Sequence, residues 1–372
     1  MCARKSGGRG RKVQDVSDIS TFTGGMRFSR AALLAGASLA ALAALAAPDR
    51  AHAACSGPNR TISTPRTGPV LSNGGAITVT SAGSISGGPS GDGVDALTCP
   101  ITTLTNQSGG TISGGNGRTS SPGGAGVAGG MGVSNASTIT TLTNARTISG
   151  GKGGFGTTFI VVGAGGAGVS NSGTIRTLTN SGTISGGSGF GATGGGGVSN
   201  ASTITTVTNN GTIRGGNGGF DAASGAGVSN AKGSTIGSLS NAFGATISGG
   251  TGGSFGGDDP TISVGRGGSF GSGSALGTGG AEIANSGTIR TLTNHGTIRG
   301  GVGGVTSSGF AAGARGAGIA NFGTITRLTN SGTIGGGERA LPTVGQSAAA
   351  RADPYPAAQA ARASRISTLS GR

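Results

Sequence analysis

A chain of 372 residues with 86 Gly, 3% aromatic residues and no Trp cannot fill the thick core of an ordinary globular domain. Its net charge of +15 is not a nucleic-acid footprint. The thirteen Lys/Arg that face six acids over residues 54–337 are scattered singly, as at Arg176, Arg214, Arg290 and Arg299, with no interleaved aromatics. Gly without a three-residue period excludes collagen.

Residues 1–25 are polar and basic and precede Met26, which reads as the better translation start. Arg27 and Arg30 stand before the Ala/Leu run Ala31–Ala47, and Ala51-His52-Ala53 has the A-x-A form. Residues 1–53 therefore read as an N-terminal extension and secretory signal peptide, cut after Ala53. The apolar run is too short and Ala-rich for a comfortable transmembrane helix. Cys2 leaves with the signal. Cys55 and Cys99 remain, and in an exported protein they either join as a disulfide or stay as two thiols.

Residues 54–95 follow as a cap and irregular first coil. Ile77-Thr78-Val79-Thr80 alternates there, and Ser84–Gly88 echoes the sequence GTISGG that closes the later repeats.

Residues 96–337 are built on one unit. Gly168–Gly187 reads GVSNSGTIRTLTNSGTISGG, and it recurs at Gly132–Gly151, Gly197–Gly216, Glu282–Gly301 and Gly318–Gly337. Gly227–Gly250 is a lengthened copy and Ile101–Gly115 a worn one. Such repeats signal a solenoid, propeller or array, and apolar and Asn residues held in fixed register argue against a disordered linker. The unit is itself doubled: Val169–Ile175 matches Leu178–Ile184, each with Asn-x-Gly between two apolar residues. Asn and Gly reach left-handed backbone angles at least cost, so this reads as a turn. Val, Ile, Leu and Thr on its flanks suit strands, so each half reads as strand, turn, strand. Hairpins this short do not survive alone. Stacking aligns Val169 with Val198, Ile175 with Ile204, Leu178 with Val207 and Ile184 with Ile213, which gives a narrow aliphatic core. The fold predicted is all-β, a parallel β-helix built from Asn-x-Gly-Thr-Ile repeats. The turn residues Asn135, Asn171, Asn200, Asn230, Asn285 and Asn321 stack in it, as do Asn144, Asn180, Asn209, Asn241, Asn294 and Asn330, and stacked amides bond along the axis.

The first Asn series advances by 36, 29, 30, 55 and 36 residues while the doubled unit stays nearly constant. The Gly-rich segment absorbs the difference, as loops on one side of a solenoid do. In the fourth copy both halves are longer by two residues, Val228 to Ile236 and Leu239 to Ile247, which predicts a bulge at each turn. Whether one repeat makes one coil or more stays open. Residues 338–372 lose the pattern, are rich in Ala, Arg and Pro, and read as a disordered tail.

No catalytic constellation emerges, and neither enzyme activity, metal nor cofactor is expected. His295, the one His after the cut, is the x of an Asn-x-Gly turn. Asp221, Asp258 and Asp259 lack the spacing of calcium repeats, and the G-x-G-x-x-G at Gly163–Gly168 has no helix or Lys-Ser/Thr behind it. A T-L-T unit does repeat. With Leu inward, Thr141, Thr143, Thr177, Thr179, Thr206, Thr208, Thr291 and Thr293 point outward as a two-column ladder. That ladder resembles the ice-binding faces of some β-solenoid antifreeze proteins, although Thr is also simply a good exposed strand residue.

The signal peptide followed by repeats such as GVSNSGTIRTLTNSGTISGG resembles the passenger region of bacterial autotransporters, the type V secretion family, over about Ala54–Gly337. The resemblance implies a right-handed parallel β-helix displayed outside a Gram-negative outer membrane, often in adhesion. It also implies a C-terminal translocator β-barrel, for which nothing after Gly337 has the alternating strands. The expectation is a monomeric, non-enzymatic, exported adhesin-type scaffold with an extracellular glycan or protein ligand that the sequence does not identify, and with no nucleic-acid partner. The alternatives are a secreted structural or ice-adsorbing solenoid that uses its Thr ladder, and a truncated, non-functional autotransporter fragment held in the periplasm.

Overall fold

The structure is a computed structural model that describes residues 55–118, 126–155, 163–220, 222–253, 277–304 and 313–337. The segment 1–53 expected to be a signal, residues 338–372 expected to be a disordered tail, Asp221, and Asp258-Asp259 with the long insertion around them lie outside the described residues. Every regular element described is a β-strand, and every strand pairing is parallel. The chain is a parallel β-helix of three sheets, which among the described residues have nine, nine and eight strands.

One repeat makes one coil. Thr174–Asn180 belongs to the first sheet, Thr183–Ser185 to the second and Val198–Asn200 to the third, after which Thr203–Asn209 returns to the first, one coil on. Register is kept residue by residue: Ile175 pairs with Ile139 and Ile204, and Leu178 with Leu142 and Val207. The lead-in segment supplies two coils of its own, starting at Arg60–Ile62 and Ile77–Val79.

The strand-turn-strand halves are not hairpins. Val169–Asn171 and Thr174–Asn180 lie in different sheets, and Asn171-Ser172-Gly173 is the corner between them. A six-residue spacing of apolar residues fits a hairpin and a corner equally well. The corner wins because each strand finds parallel partners in both neighbouring coils. The regular corner glycines, Gly173 and Gly182, also do not take positive φ. A Cβ built on their backbone would overlap the carbonyl oxygen of Ser137 or Arg146 in the adjoining coil, although Ser137, Arg146 and Ser202 hold the same corner places in other coils. The lengthened fourth copy differs: its two corners carry Gly233 at φ 82° and Gly244 at φ 77°, the left-handed glycines that a longer turn requires.

Inside, each coil contributes four aliphatic side chains. Val169, Ile175, Leu178 and Ile184 are fully buried, as are their equivalents up to Ile298. In the last coil Ile319, Ile325, Leu328 and Ile334 are half-buried against this core. Cys55 and Cys99 form a disulfide, Cα–Cα 5.3 Å, which ties the start of the first coil to the corner that leads into Ile101–Asn106.

The Gly-rich segments are more than loops. Near the helix each leaves as one arm and returns as another, and both arms are hydrogen-bonded. Gly150 N–H donates to Ser185 O and Gly153 N–H to Ser188 O, so the outgoing arm bonds to the next coil at every third residue. The returning arm repeats this with Gly129 to Ala164 and Gly132 to Ala167. Between these, Gly187 donates to Gly166, Gly166 to Gly151 and Gly151 to Gly130, a zigzag that crosses from arm to arm along the axis. Three-residue periodicity without positive φ is that of a polyproline II-type strand. A Cβ on Gly151, Gly166 or Gly187 would overlap a carbonyl oxygen of a neighbouring arm. The arms therefore form a two-layered flange of glycine beside the β-helix.

Candidate functional site

The turn asparagines point inward at the strand ends and build two axial ladders. In one, the Nδ2 of Asn135, Asn171, Asn200, Asn230 and Asn285 each donates to Oδ1 of the next member, at 2.7–2.8 Å, ending on Asn321. In the other, Asn144, Asn180, Asn209, Asn241 and Asn294 do the same, ending on Asn330. Each Nδ2 also reaches a Thr carbonyl one coil on, as Asn171 does with Thr203 O at 3.0 Å. The amides are buried except in the last coil, so this bonding removes the cost of burying them. Their burial makes them structural and places them out of reach of a ligand.

Asn106 heads the second ladder, with Nδ2 2.8 Å from Asn144 Oδ1. The worn first copy hid it, although Leu104-Thr105-Asn106 keeps the L-T-N triple. Each ladder begins with an orphan: Oδ1 of Asn106 and of Asn135 is buried without a partner. The preceding coil aligns Val79 and Ala96 with them, and neither side chain can donate.

The Thr columns form on the first sheet. Thr141, Thr177 and Thr206 align, followed by Ser238, Thr291 and Arg327. Thr143, Thr179 and Thr208 align likewise, followed by Ser240, Thr293 and Thr329. All eight threonines singled out in the sequence are half-buried. The residue before each first-column Thr is exposed at Arg176, Thr205 and Arg290, so long cationic side chains stand beside the ladder.

A second surface feature was not legible from any motif. The second sheet turns a column of Ser113, Ser149, Ser185 and Arg214 outward, and the outgoing Gly arms carry Lys152 and Ser188 alongside. Between these walls runs a groove of about 590 Å³ floored by glycine backbone. Ser248 and then Arg299 continue the Ser/Arg column beyond it.

Among the described residues two ionisable groups are perturbed. Glu282 stands where the other copies have Gly, and both its carboxylate oxygens are buried without a hydrogen-bond partner. Burial pushes it up to about 9, against the smaller pull of its own backbone N–H and, less again, of the nearby Arg299. Burial and the neighbouring Asp92 raise Asp95. His295 Nδ1 lies 2.6 Å from Ser331 Oγ on an exposed corner. Among the described residues no three His, Cys, Asp or Glu side chains gather as metal ligands. Compared with protein families, curated proteins and solved structures, the chain has no match in any of the three.

Proposed function

We propose that the chain is a non-enzymatic, exported surface protein, an adhesin-type scaffold whose repeated faces make weak contacts many times over. The observation that carries this reading is the exact repetition of outward side chains. Thr141, Thr177 and Thr206 stand one above another, and the Ser column beside the flange does the same. A ligand contact made on one coil is offered again about 4.8 Å along the axis, and multivalent contact turns low single-site affinity into useful avidity. The resemblance of the repeats to autotransporter passengers supports surface display.

The test is binding of the full chain to bacterial and host cell surfaces and to glycan arrays. Retention that rises steeply with ligand density supports the scaffold. Absence of surface binding, or turnover of a bound glycan with a defined pH optimum, would overturn it.

One observation favours a second reading, an ice- or crystal-adsorbing solenoid: both Thr columns run unbroken through Thr177, Thr206, Thr179 and Thr208. Arg176 and Arg290 beside the columns and Arg327 within one weigh against a flat face. Thermal hysteresis that disappears in Thr177→Lys would support it.

A further inference from the structure

The groove beside the flange has a chemistry that the repeats do not require. Its lining contains no carboxylate and two cations, Lys152 and Arg214. Arg214 replaces the Ser of the adjoining coils, Ser185 on one side and Ser248 on the other, and Arg299 replaces it again one coil further. Lys152 follows the strand Thr147–Ser149, Arg214 lies two coils on in Thr212–Arg214, and Arg299 two coils beyond that in Thr297–Arg299. At about 4.8 Å per coil these cations are spaced roughly 9.6 Å along the axis, Lys152 on the flange wall and Arg214 and Arg299 on the sheet wall, with Arg299 beyond the groove's own lining. Lys152 and Arg214 are exposed, and serine hydroxyls and glycine amides fill the interval between them.

We infer that this groove binds a linear acidic polysaccharide laid along the solenoid axis, with one carboxylate per disaccharide. The cation interval is about the length of one disaccharide in an extended chain. Ser149 and Ser185 place hydroxyl groups where sugar hydroxyls need donors and acceptors. Both walls are fixed by hydrogen bonds, one in the second sheet and one in the flange, so the groove is formed before the ligand arrives and little ordering cost remains. A nucleic acid fits less well. Its charges recur about every 3.4 Å along each strand, and no aromatic side chain lines the groove to stack a base.

The inference rests on the scaffold reading and names its ligand class. Its test uses the full chain, hyaluronan oligomers long enough to pass from Lys152 to Arg299, neutral dextran and oligo-dT, all at low salt. Lys152→Gln, Arg214→Ser and Arg299→Ser are each expected to weaken hyaluronan binding about threefold, and the triple variant about twentyfold. The serine variants copy neighbouring coils, and unchanged far-UV circular dichroism would show that they fold. Arg176→Thr with Arg290→Thr, on the first sheet, removes two positive charges and is expected to leave binding intact. The groove proposal is overturned if the triple variant binds hyaluronan as wild type does, if the first-sheet variant loses as much, or if oligo-dT binds as tightly through the same residues. A triple variant that keeps cell-surface binding and wild-type hyaluronan binding sinks the groove and leaves the scaffold standing. Hyaluronan binding without any cell-surface binding does the reverse.

Discussion

Each asparagine within a ladder, between its head and its end, is held by the one before it and holds the one after. Asn180 accepts from Asn144 and donates to Asn209. Asn180→Ala would leave one buried donor and one buried acceptor unmade and cost about 3 kcal/mol, read from the urea midpoint. Glu282 supplies a pH signature. At low pH its carboxyl is protonated in both the folded and the unfolded chain. Above the ordinary value of 4.5 the unfolded chain ionises while the folded carboxyl keeps its proton up to about 9, so stability falls across that window. Glu282→Gln is expected to flatten this part of the melting temperature–pH profile, and Glu282→Gly, the residue of the other copies, to raise the melting temperature at pH 8. A glutamine variant with the wild-type slope would place the titration elsewhere.

At the level of elements, strands were easier to read than the flange. Apolar columns, ladder positions and the register of one repeat on the next all follow from side chains that recur at fixed places. Val169, Asn171, Ile175, Leu178 and Ile184 carry that information. The flange is held by backbone amides and carbonyls with almost no side chains, so its order leaves only glycine in the sequence, and glycine reads as a loop. Corner and hairpin were indistinguishable for a related reason: the spacing between apolar residues fixes their separation along the chain and leaves the partner strand open. The groove was not legible, because Lys152 and Arg214 are far apart in sequence and meet through the register of the coils. The flange makes its own prediction. Gly195→Ala puts a Cβ against the carbonyl of Gly166 and is expected to destabilise by at least about 2 kcal/mol, whereas Gly335→Ala meets nothing and should be neutral within about 0.5 kcal/mol. Equal melting temperatures for the two variants would contradict a close-packed flange.

As a whole, the molecule is bonded mainly between neighbouring coils, so its stability is a sum of local terms. The disulfide closes a separation of 44 residues, which in the chain-entropy account contributes up to about 4 kcal/mol. That contribution belongs to the first coils. In the Cys55→Ser, Cys99→Ser variant, hydrogen-exchange protection is expected to fall at Ile62 and Ile77 and to remain at Ile175 and Leu178; uniform loss would mean that the molecule melts as one unit. The same locality governs removal of a coil. Asn171 and Asn200 occupy equivalent places 29 residues apart, so deleting Ser172–Asn200 joins like to like and keeps both ladders continuous. The shortened chain is expected to fold, with a melting temperature within about 5 °C of the original. Equivalence of this kind also acts on the gene. Similar repeats can recombine unequally, and each in-register crossover between them adds or removes whole coils without disturbing those that stay. The length of the molecule can thus be revised over generations in fixed steps, like a ruler cut or joined only at its graduations.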